Sequence, residues 1–316
     1  MVNNSTSTKS KILSILRESK APVSGEVIAG CSEVSRVAVW KSIQSLQQSG
    51  YGITHERTGY VLKEDMQDSL FPWEFGDKES FFFHCIETES TMDEAKKIAE
   101  SHPQQNHIQI VTADRQTKGR GSSNKKWTTA KGSLACTVIT RNTVSAAESR
   151  RITMASQIAI AKALKNLTGR TFYTRWPNDV WSSEGKVCGI LDELAAQGNL
   201  CSWINIGIGV NLSCHPKIKN ADQAAFTKGS LSRKKMLLAF LDEFKFQERI
   251  ACEDSNALEK QWNSLCMDSG KKIKSAENGK EFTFKKINGL GFAVLDSEGK
   301  ESIVAPGKIS LIKEMH

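Results

Sequence analysis

The segment Ile204-Asn205-Ile206-Gly207-Ile208-Gly209-Val210-Asn211 has the clearest strand pattern in the chain. Its even positions are all β-branched and apolar, which predicts the buried face of a strand. Its odd positions, Asn205, Gly207, Gly209 and Asn211, leave bare backbone between two amides. Glycine inside a strand often marks a close approach. The segment therefore predicts a flat wall for a planar or bicyclic ligand, or a face against which a second element packs.

A loop candidate lies upstream, at Gln116-Thr117-Lys118-Gly119-Arg120-Gly121 followed by Trp127. Glycine lets backbone N–H groups approach a ligand, the cations attract negative charge, and the indole offers an apolar face. This combination indicates a site for an anionic nucleotide, although a surface loop without function has the same composition. The loop matches neither the P-loop nor the Gly-x-Gly-x-x-Gly pattern.

Two further segments carry polar groups next to apolar strands. Lys186-Val187-Cys188-Gly189-Ile190-Leu191 begins with a lysine, but Lys186 and Gly189 would lie on opposite sides of an ideal pleat. A regular strand therefore does not aim both residues at one ligand, and a lysine at a strand end is most often solvated. In Trp176-Pro177-Asn178-Asp179, Asn178 and Asp179 either cap a turn, or Asp179 accepts hydrogen bonds from a ligand or orients Lys186.

Residues 1–63 predict a winged helix. Three short amphipathic helices, two of them capped by Ser24 and Ser35, are followed by a hairpin around Arg57-Thr58-Gly59. This segment has eight Lys/Arg and four Asp/Glu, which suits DNA, although a helical interaction module with a basic face is the alternative. The predicted DNA contacts are Ser35, Arg36, Trp40, Lys41, Gln44 and Arg57.

The rest of the chain predicts a multidomain α+β protein. Residues 64–80 read as a linker, 81–266 as an α/β catalytic domain, and 267–316 as a small closed β barrel. The formal net charge is +8, and the eight cysteines stand singly, without metal-ligand spacing. With no apolar run long enough to span a membrane and no signal peptide, we expect a cytoplasmic location.

Taken in order, these segments together with Glu89-Ser90-Thr91-Met92 resemble the biotin–protein ligases, and specifically the bifunctional ligase/biotin operon repressors. The resemblance covers nearly all of the chain. It implies a winged helix, a central class II synthetase-like mixed sheet with helices, and a C-terminal SH3-like barrel. It also implies the chemistry of a biotin–[acetyl-CoA-carboxylase] ligase: biotin and ATP form biotinyl-5′-AMP with Mg²⁺, and biotin then passes to a lysine of a biotin carboxyl carrier protein.

The resemblance assigns roles by position. Catalytic roles fall on Lys186, Arg120 and Asp179. Biotin binding falls on Ser90, Thr91, Met92, Gln116, Gly119, Arg120, Gly121, Ser122, Lys186, Gly189, Gly207 and Gly209, and ATP or adenylate binding on Arg120, Trp127, Asn178, Lys186 and Asn211. No metal ligand is assigned. The resemblance further implies that the adenylate-bound protein forms a homodimer on an inverted-repeat operator.

The chain departs from the family pattern in the loop. Ser122 stands where the family usually has an arginine and Asn124 where it has a glycine, so we expect weaker retention of the adenylate. Met92 stands where relatives often carry Asn, and Phe226 is a candidate to stack on adenine. Three rival functions stay open: a ligase whose winged helix no longer represses, a lipoate or octanoate ligase, and a transcription factor with a non-catalytic sensor domain.

Overall fold

The computed structural model describes residues 6–102, 108–122, 125–141, 144–213, 227, 231–276, 278–308 and 311–312. The chain divides into two compact units, of which the first ends at His84 and the second begins at Cys85. None of the helices in the described ranges combines the length and the apolar character that crossing a membrane requires.

The first unit begins with the predicted three helices and hairpin: α1 (Thr8–Glu18), α2 (Gly25–Ser32), α3 (Arg36–Gln48), β1 (Gly52–Glu56) and β2 (Gly59–Glu64). Ser24 and Ser35 cap α2 and α3 by accepting from the backbone N–H groups of Val27 and Ala38. The apolar faces of the three helices meet in one core, which contains Ile12, Leu13, Leu16, Ile28, Val39, Ile43, Leu46 and Ile53. The predicted order of elements is confirmed here.

The segment predicted as a linker is folded into this unit. Residues Pro72–Phe81 form a 3₁₀ segment kinked at Gly76. The buried carboxylate of Glu74 accepts hydrogen bonds from Tyr51 Oη at 2.5 Å and from Arg17 Nη2 at 2.7 Å. The acidic composition of the segment therefore reflects partners inside the unit rather than solvation, and the unit extends beyond the predicted boundary at 63.

The second unit is built on a seven-stranded sheet in the order β3-β4-β5-β9-β8-β7-β6. Its strands are β3 (Phe82–Thr88), β4 (Gln109–Gln116), β5 (Leu134–Thr140), β6 (Tyr173–Arg175), β7 (Asp179–Ser182), β8 (Gly185–Gln197) and β9 (Leu200–Val210). Five of the six pairings have a described register, and all five are antiparallel.

Helices cover both faces of this sheet. Helix α4 (Thr91–Ser101) contacts β4, β5 and β9, and α5 (Arg150–Thr168) packs on β8 and against α6 (Arg233–Glu253). A further helix, α7 (Ser255–Ser264), was not predicted. It begins at the capping side chain of Asp254, and Trp262 is its fully buried anchor. The even face of β9 is buried, as the alternating pattern predicts.

The C-terminal part forms a five-stranded sheet in the order β13-β12-β11-β10-β14. The strands are β10 (Lys272–Ser275), β11 (Glu281–Ile287), β12 (Ala293–Ser297), β13 (Lys300–Val304) and β14 (Leu311–Ile312). All its described pairings are antiparallel, which agrees with a C-terminal β domain. The predicted boundary at 266/267 does not separate this sheet as a compact unit. One physical reason is the buried pair of Arg175 Nε and Asp268 Oδ1 at 3.1 Å.

Candidate active site

A wall of glycine backbone forms the floor of one pocket in the second unit. Gly189 on β8 is paired directly with Gly209 on β9, and Leu191 is paired with Gly207. A Cβ atom at Gly209 would lie 2.2 Å from Cε2 of Trp127, and one at Gly207 would lie 2.7 Å from Sδ of Met92. A side chain at Gly209 would therefore collide with the Trp127 indole, which lies against the bare strand where a flat ligand is expected.

A β-bulge decides the direction of Lys186. On β7, Val180 and Trp181 are neighbours, but their partners on β8 are Cys188 and Lys186. Val187 is thus the extra residue, and its carbonyl accepts from the backbone N–H of Asn211 at 2.8 Å. A bulge turns side chains away from strict alternation, so the expectation that Lys186 and Gly189 face apart is wrong.

Lys186 is consequently directed into the glycine-walled pocket. Its Nζ would lie 3.2 Å from a Cβ at Gly189 and lies 5.7 Å from the centre of the Trp127 ring. It also forms an ion pair with Asp179 Oδ1 at 2.7 Å. The paired carboxylate fixes the ammonium group at the wall, which is the alternative role weighed for Asp179.

Threonine and glutamine side chains form a polar cluster near the start of α4. Oε1 of Gln116 accepts from the backbone N–H of Thr91 at 2.9 Å and from its hydroxyl at 3.1 Å. Thr137, which sequence reasoning missed, donates to Thr91 Oγ1 at 2.8 Å. Ser90 caps α4 by accepting from Met92 N. These bonds hold a set of donors and acceptors in fixed directions beside Gly207.

Two ion pairs and a backbone hydrogen bond hold the loop that carries Arg120. Nη2 of Arg120 lies 2.8 Å from Asp93 Oδ1 and 3.2 Å from Glu193 Oε1. The backbone N–H of Trp127 donates to Gly119 O at 2.8 Å. Asp93 and Glu193 were not predicted, but Glu193 continues the alternation from Gly189 through Leu191 on β8, and that period could have identified it.

Most of the predicted site residues line this pocket. Those at its surface are Ser90, Thr91, Met92, Gln116, Arg120, Gly121, Ser122, Trp127, Asn178, Lys186, Gly189, Gly207 and Gly209. Three other predicted residues contact residues of the lining or of the bulge. Gly119 accepts a hydrogen bond from Trp127 N, Asp179 pairs with Lys186, and Asn211 donates to the carbonyl of the bulge residue Val187. Asn124 and Phe226 lie outside the described residues.

Hydrogen bonds and burial stiffen the back of the pocket. The Asn178 side chain donates to the carbonyl of Ile190, whose N–H donates to the Asn178 carbonyl at 3.0 Å. Burial raises the pKa of the Cys188 thiol, which keeps this neighbour of Gly189 protonated and unreactive. In the described part of the chain, no three His, Cys, Asp or Glu side chains are grouped closely enough to hold a metal ion.

The first unit presents a separate exposed surface along α3 and the hairpin. All six predicted DNA-contact residues are exposed there: Ser35, Arg36, Trp40, Lys41, Gln44 and Arg57. Val37 is also exposed, at 61% of its surface. Because Val37, Trp40, Lys41 and Gln44 follow helical spacing, they form one outward stripe on α3, opposite the buried Val39, Ile43 and Leu46.

Comparison with known proteins agrees with this division. Residues 83–211 match the biotin/lipoate A/B protein ligase family, and residues 8–61 match an HTH domain. The bifunctional ligase/repressor BirA of Bacillus subtilis (strain 168) is 28% identical over 202 residues, 61% of this chain and 61% of that protein. The match therefore spans less than two thirds of that relative's length.

Two other similarities are to biotin ligases. The biotin–[acetyl-CoA-carboxylase] ligase of Paracoccus denitrificans is 34% identical over 131 residues, 41% of this chain and 53% of that protein. The biotin protein ligase from Aquifex aeolicus in complex with biotin and ATP has a TM-score of 0.60 at 25% identity, covering 74% of this chain and 99% of that chain. Residues 83–211 are therefore similar to the biotin/lipoate A/B protein ligase family, and residues 8–61, which precede them, are similar to a helix-turn-helix domain.

Proposed function

We propose that this protein is an ATP-dependent biotin–protein ligase that also binds operator DNA as a repressor of biotin synthesis genes. The observation that carries the enzymatic part is the convergence of Lys186, Arg120 and the Thr91–Gln116 cluster on one glycine-walled pocket. A bicyclic ring fits bare backbone, and the two cations suit two anions brought together. The family match and the similar biotin ligases support the choice of substrate.

In the first step, a carboxylate oxygen of biotin attacks the α-phosphorus of ATP. A P–O bond forms, the bond to the bridging oxygen of the β-phosphate breaks, and pyrophosphate leaves with the electron pair. Lys186 would stand between the two anions and offset their repulsion, because its ammonium is fixed by Asp179 beside Gly189. Arg120 would have to exchange its carboxylate partners, Asp93 and Glu193, for the phosphate.

In the second step, the amine of an acceptor lysine attacks the acyl carbon of biotinyl-5′-AMP. A C–N bond forms, the acyl–oxygen bond breaks, and AMP leaves. The acceptor proposed is the biotin carboxyl carrier protein of acetyl-CoA carboxylase. Mg²⁺ would enter on the phosphates of ATP and neutralise them, since the described residues provide no cluster of ligands of their own.

Pyrophosphate release tests this proposal. We expect release that requires biotin and ATP together, and loss of that release in Lys186→Ala. The matched control is Lys165→Ala, an exposed lysine on α5, which should behave as the wild type. Release without biotin, or unchanged release in Lys186→Ala, would contradict the proposal and favour a non-catalytic sensor domain.

A lipoate-type ligase is the nearest alternative because the family includes both substrates. Thermal shifts with biotin and with lipoate separate the two. We expect biotin, with Mg-ATP, to raise the melting temperature and lipoate to leave it unchanged. The opposite order would replace the proposed substrate while leaving the site as described.

The repressor part is carried by the exposed basic and apolar stripe on α3. We propose that this stripe enters the major groove, that Arg57 on the hairpin contacts phosphate, and that adenylate-bound protein binds an inverted repeat as a homodimer. Sedimentation with and without biotinyl-5′-AMP tests the dimer. A monomer in both states would rule out the proposed dimer and leave a ligase whose winged helix does not repress.

We also propose that the C-terminal sheet is an SH3-like barrel.

A further inference from the structure

Asn205 is a buried polar residue that the proposed reaction does not yet use. Its side chain is fully buried, and neither Nδ2 nor Oδ1 has a hydrogen-bond partner among the described residues. Buried amides in native proteins are almost always bonded, and an apolar side chain would avoid the cost of burying one. The amide therefore calls for a partner that the resting fold does not supply.

The position of Asn205 puts it on the ligand face of β9. It precedes Gly207 by two residues, so its side chain points to the side of the sheet that Gly207 leaves bare, about 7 Å along the strand from Gly207. Its cross-strand partners are Ile139 on β5 and Glu193 on β8. Met92, which lines the pocket, covers Gly207, with its Sδ 2.7 Å from the Cβ position there.

The two ends of the glycine wall differ in charge. Lys186 stands at the Gly189 end, where an anion is favoured. At the other end, Glu193, the residue paired with Asn205, supplies a carboxylate that Arg120 balances at rest and leaves unbalanced when it turns to the phosphate. The end next to Asn205 therefore suits the neutral polar part of a ligand rather than its carboxylate.

The nearby polar groups are already bonded to one another. Oε1 of Gln116 accepts twice from Thr91, and Thr91 Oγ1 also accepts from Thr137. Asn205 keeps both an acceptor oxygen and an N–H₂ donor open, side by side. A cyclic urea presents the complementary pair, an N–H next to a C=O.

We propose that Asn205 binds the ureido ring of biotin with a pair of hydrogen bonds and acts as a specificity residue. This rests on the proposed function, since it assigns the substrate's neutral end within the same site. For the contact to form, the Met92 side chain must turn aside from Gly207, a movement suited to an unbranched thioether. Lipoate has no ureido group, so the contact would discriminate against it.

The test is the variant Asn205→Leu, which removes the donor and the acceptor and keeps the branched skeleton of the side chain. We expect the Kd of biotin measured by calorimetry without ATP, and the KM for biotin, to rise about tenfold or more. The KM for ATP and kcat should stay within about twofold. The melting temperature should stay equal or rise, because replacing an unpaired buried amide by an apolar group relieves its burial.

The matched control is Ile206→Val, the next residue on the opposite face of β9. It perturbs the packing of the same strand and should leave the Kd of biotin unchanged. If wild-type protein binds biotin and Asn205→Leu binds it equally well, Asn205 is structural and the inference is wrong. If wild-type protein does not bind biotin at all, the proposed function fails instead.

Discussion

At the scale of single residues, Gly209 carries the strictest requirement of the site. An added Cβ would lie within 2.5 Å of three atoms of the Trp127 ring. We expect Gly209→Ala to raise the Kd of biotin about tenfold or more, because the methyl group fills the space the ligand needs. Gly289→Ala is the control, since its nearest neighbour lies 3.5 Å away. Equal Kd values for both variants would show that the wall is not the ligand surface.

Cysteine reactivity gives a second prediction at this scale. Burial raises the pKa of the Cys136 thiol to about 12 and also raises that of Cys188. Because alkylation needs the thiolate, we expect iodoacetamide at about pH 8.5 to label exposed Cys31 and to spare both buried thiols. Peptide mass mapping of the native protein measures this. Labelling of Cys188 at the rate of Cys31 would mean that the strand beside Gly189 opens.

Sequence reasoning at this scale chose residues that the fold brings to one pocket, and it was wrong about one direction. The glycines of β9 and the residues Gln116, Arg120 and Lys186 could be chosen because their chemistry is visible in their type and spacing. The direction in which Lys186 points could not be predicted, because it depends on the β-bulge at Val187. A bulge is set by pairing between β7 and β8, and strand alternation along a single segment does not contain it.

At the scale of elements, a backbone hydrogen bond from Trp127 to Gly119 helps to hold the indole at the pocket wall. The Trp127 indole lies against Gly189 and Gly209. We expect Trp127→Ala to speed biotin association, because the wall is uncovered, and to speed loss of the adenylate, because a flat apolar contact is removed. Stopped-flow binding and adenylate dissociation measure the two rates. If this variant leaves the association rate of biotin unchanged, the Trp127 indole does not obstruct the glycine wall.

Ser122 lines the same pocket without a charge. We expect Ser122→Arg to slow dissociation of biotinyl-5′-AMP, because an added guanidinium would attract the phosphate. The rates for wild type and variant can be measured by displacement with excess unlabelled adenylate. Equal rates would remove the expectation that this chain holds its intermediate weakly.

The 3₁₀ segment Pro72–Phe81 is an element whose folding the sequence hid. Its acidic residues and its proline suggested a linker, but the buried Glu74 binds Arg17 and Tyr51. Burial also raises the pKa of Tyr51, so its phenol stays a donor. We expect Glu74→Ala to cost about 1–3 kcal/mol of the unfolding free energy of this unit, because the Tyr51 hydroxyl loses its acceptor and Arg17 keeps only Asp65. Denaturant unfolding measures this free energy. A loss below about 0.5 kcal/mol would support the interpretation of this segment as a linker.

At the scale of the whole molecule, the order of parts was predictable and their boundaries were not. Helix caps, alternating strands and glycine turns are local, so the helix-turn-helix unit, the central sheet and the C-terminal sheet could be predicted. Boundaries depend on contacts between distant segments, such as Tyr51 with Glu74 and Arg175 with Asp268. The capped helix α7 was missed because its anchor, Trp262, reads as a single aromatic among polar residues.

A further prediction concerns the DNA binding proposed for the first unit. We expect binding to the control region of the biotin synthesis genes to weaken steeply with salt. Arg36→Ala should reduce the slope of log K against log salt by about 1, because one phosphate contact is lost. Trp40→Ala removes no charge and should weaken binding without changing the slope. Identical slopes for wild type and Arg36→Ala would take Arg36 out of the interface.

The most direct test of the central claim uses an acceptor. The protein is incubated with biotin, Mg-ATP and the carrier domain of acetyl-CoA carboxylase. The mass of the carrier domain is then measured by mass spectrometry. We expect a gain of one biotinyl group on one lysine, absent without ATP and absent with Lys186→Ala. A carrier of unchanged mass after incubation with the wild-type protein would contradict the account.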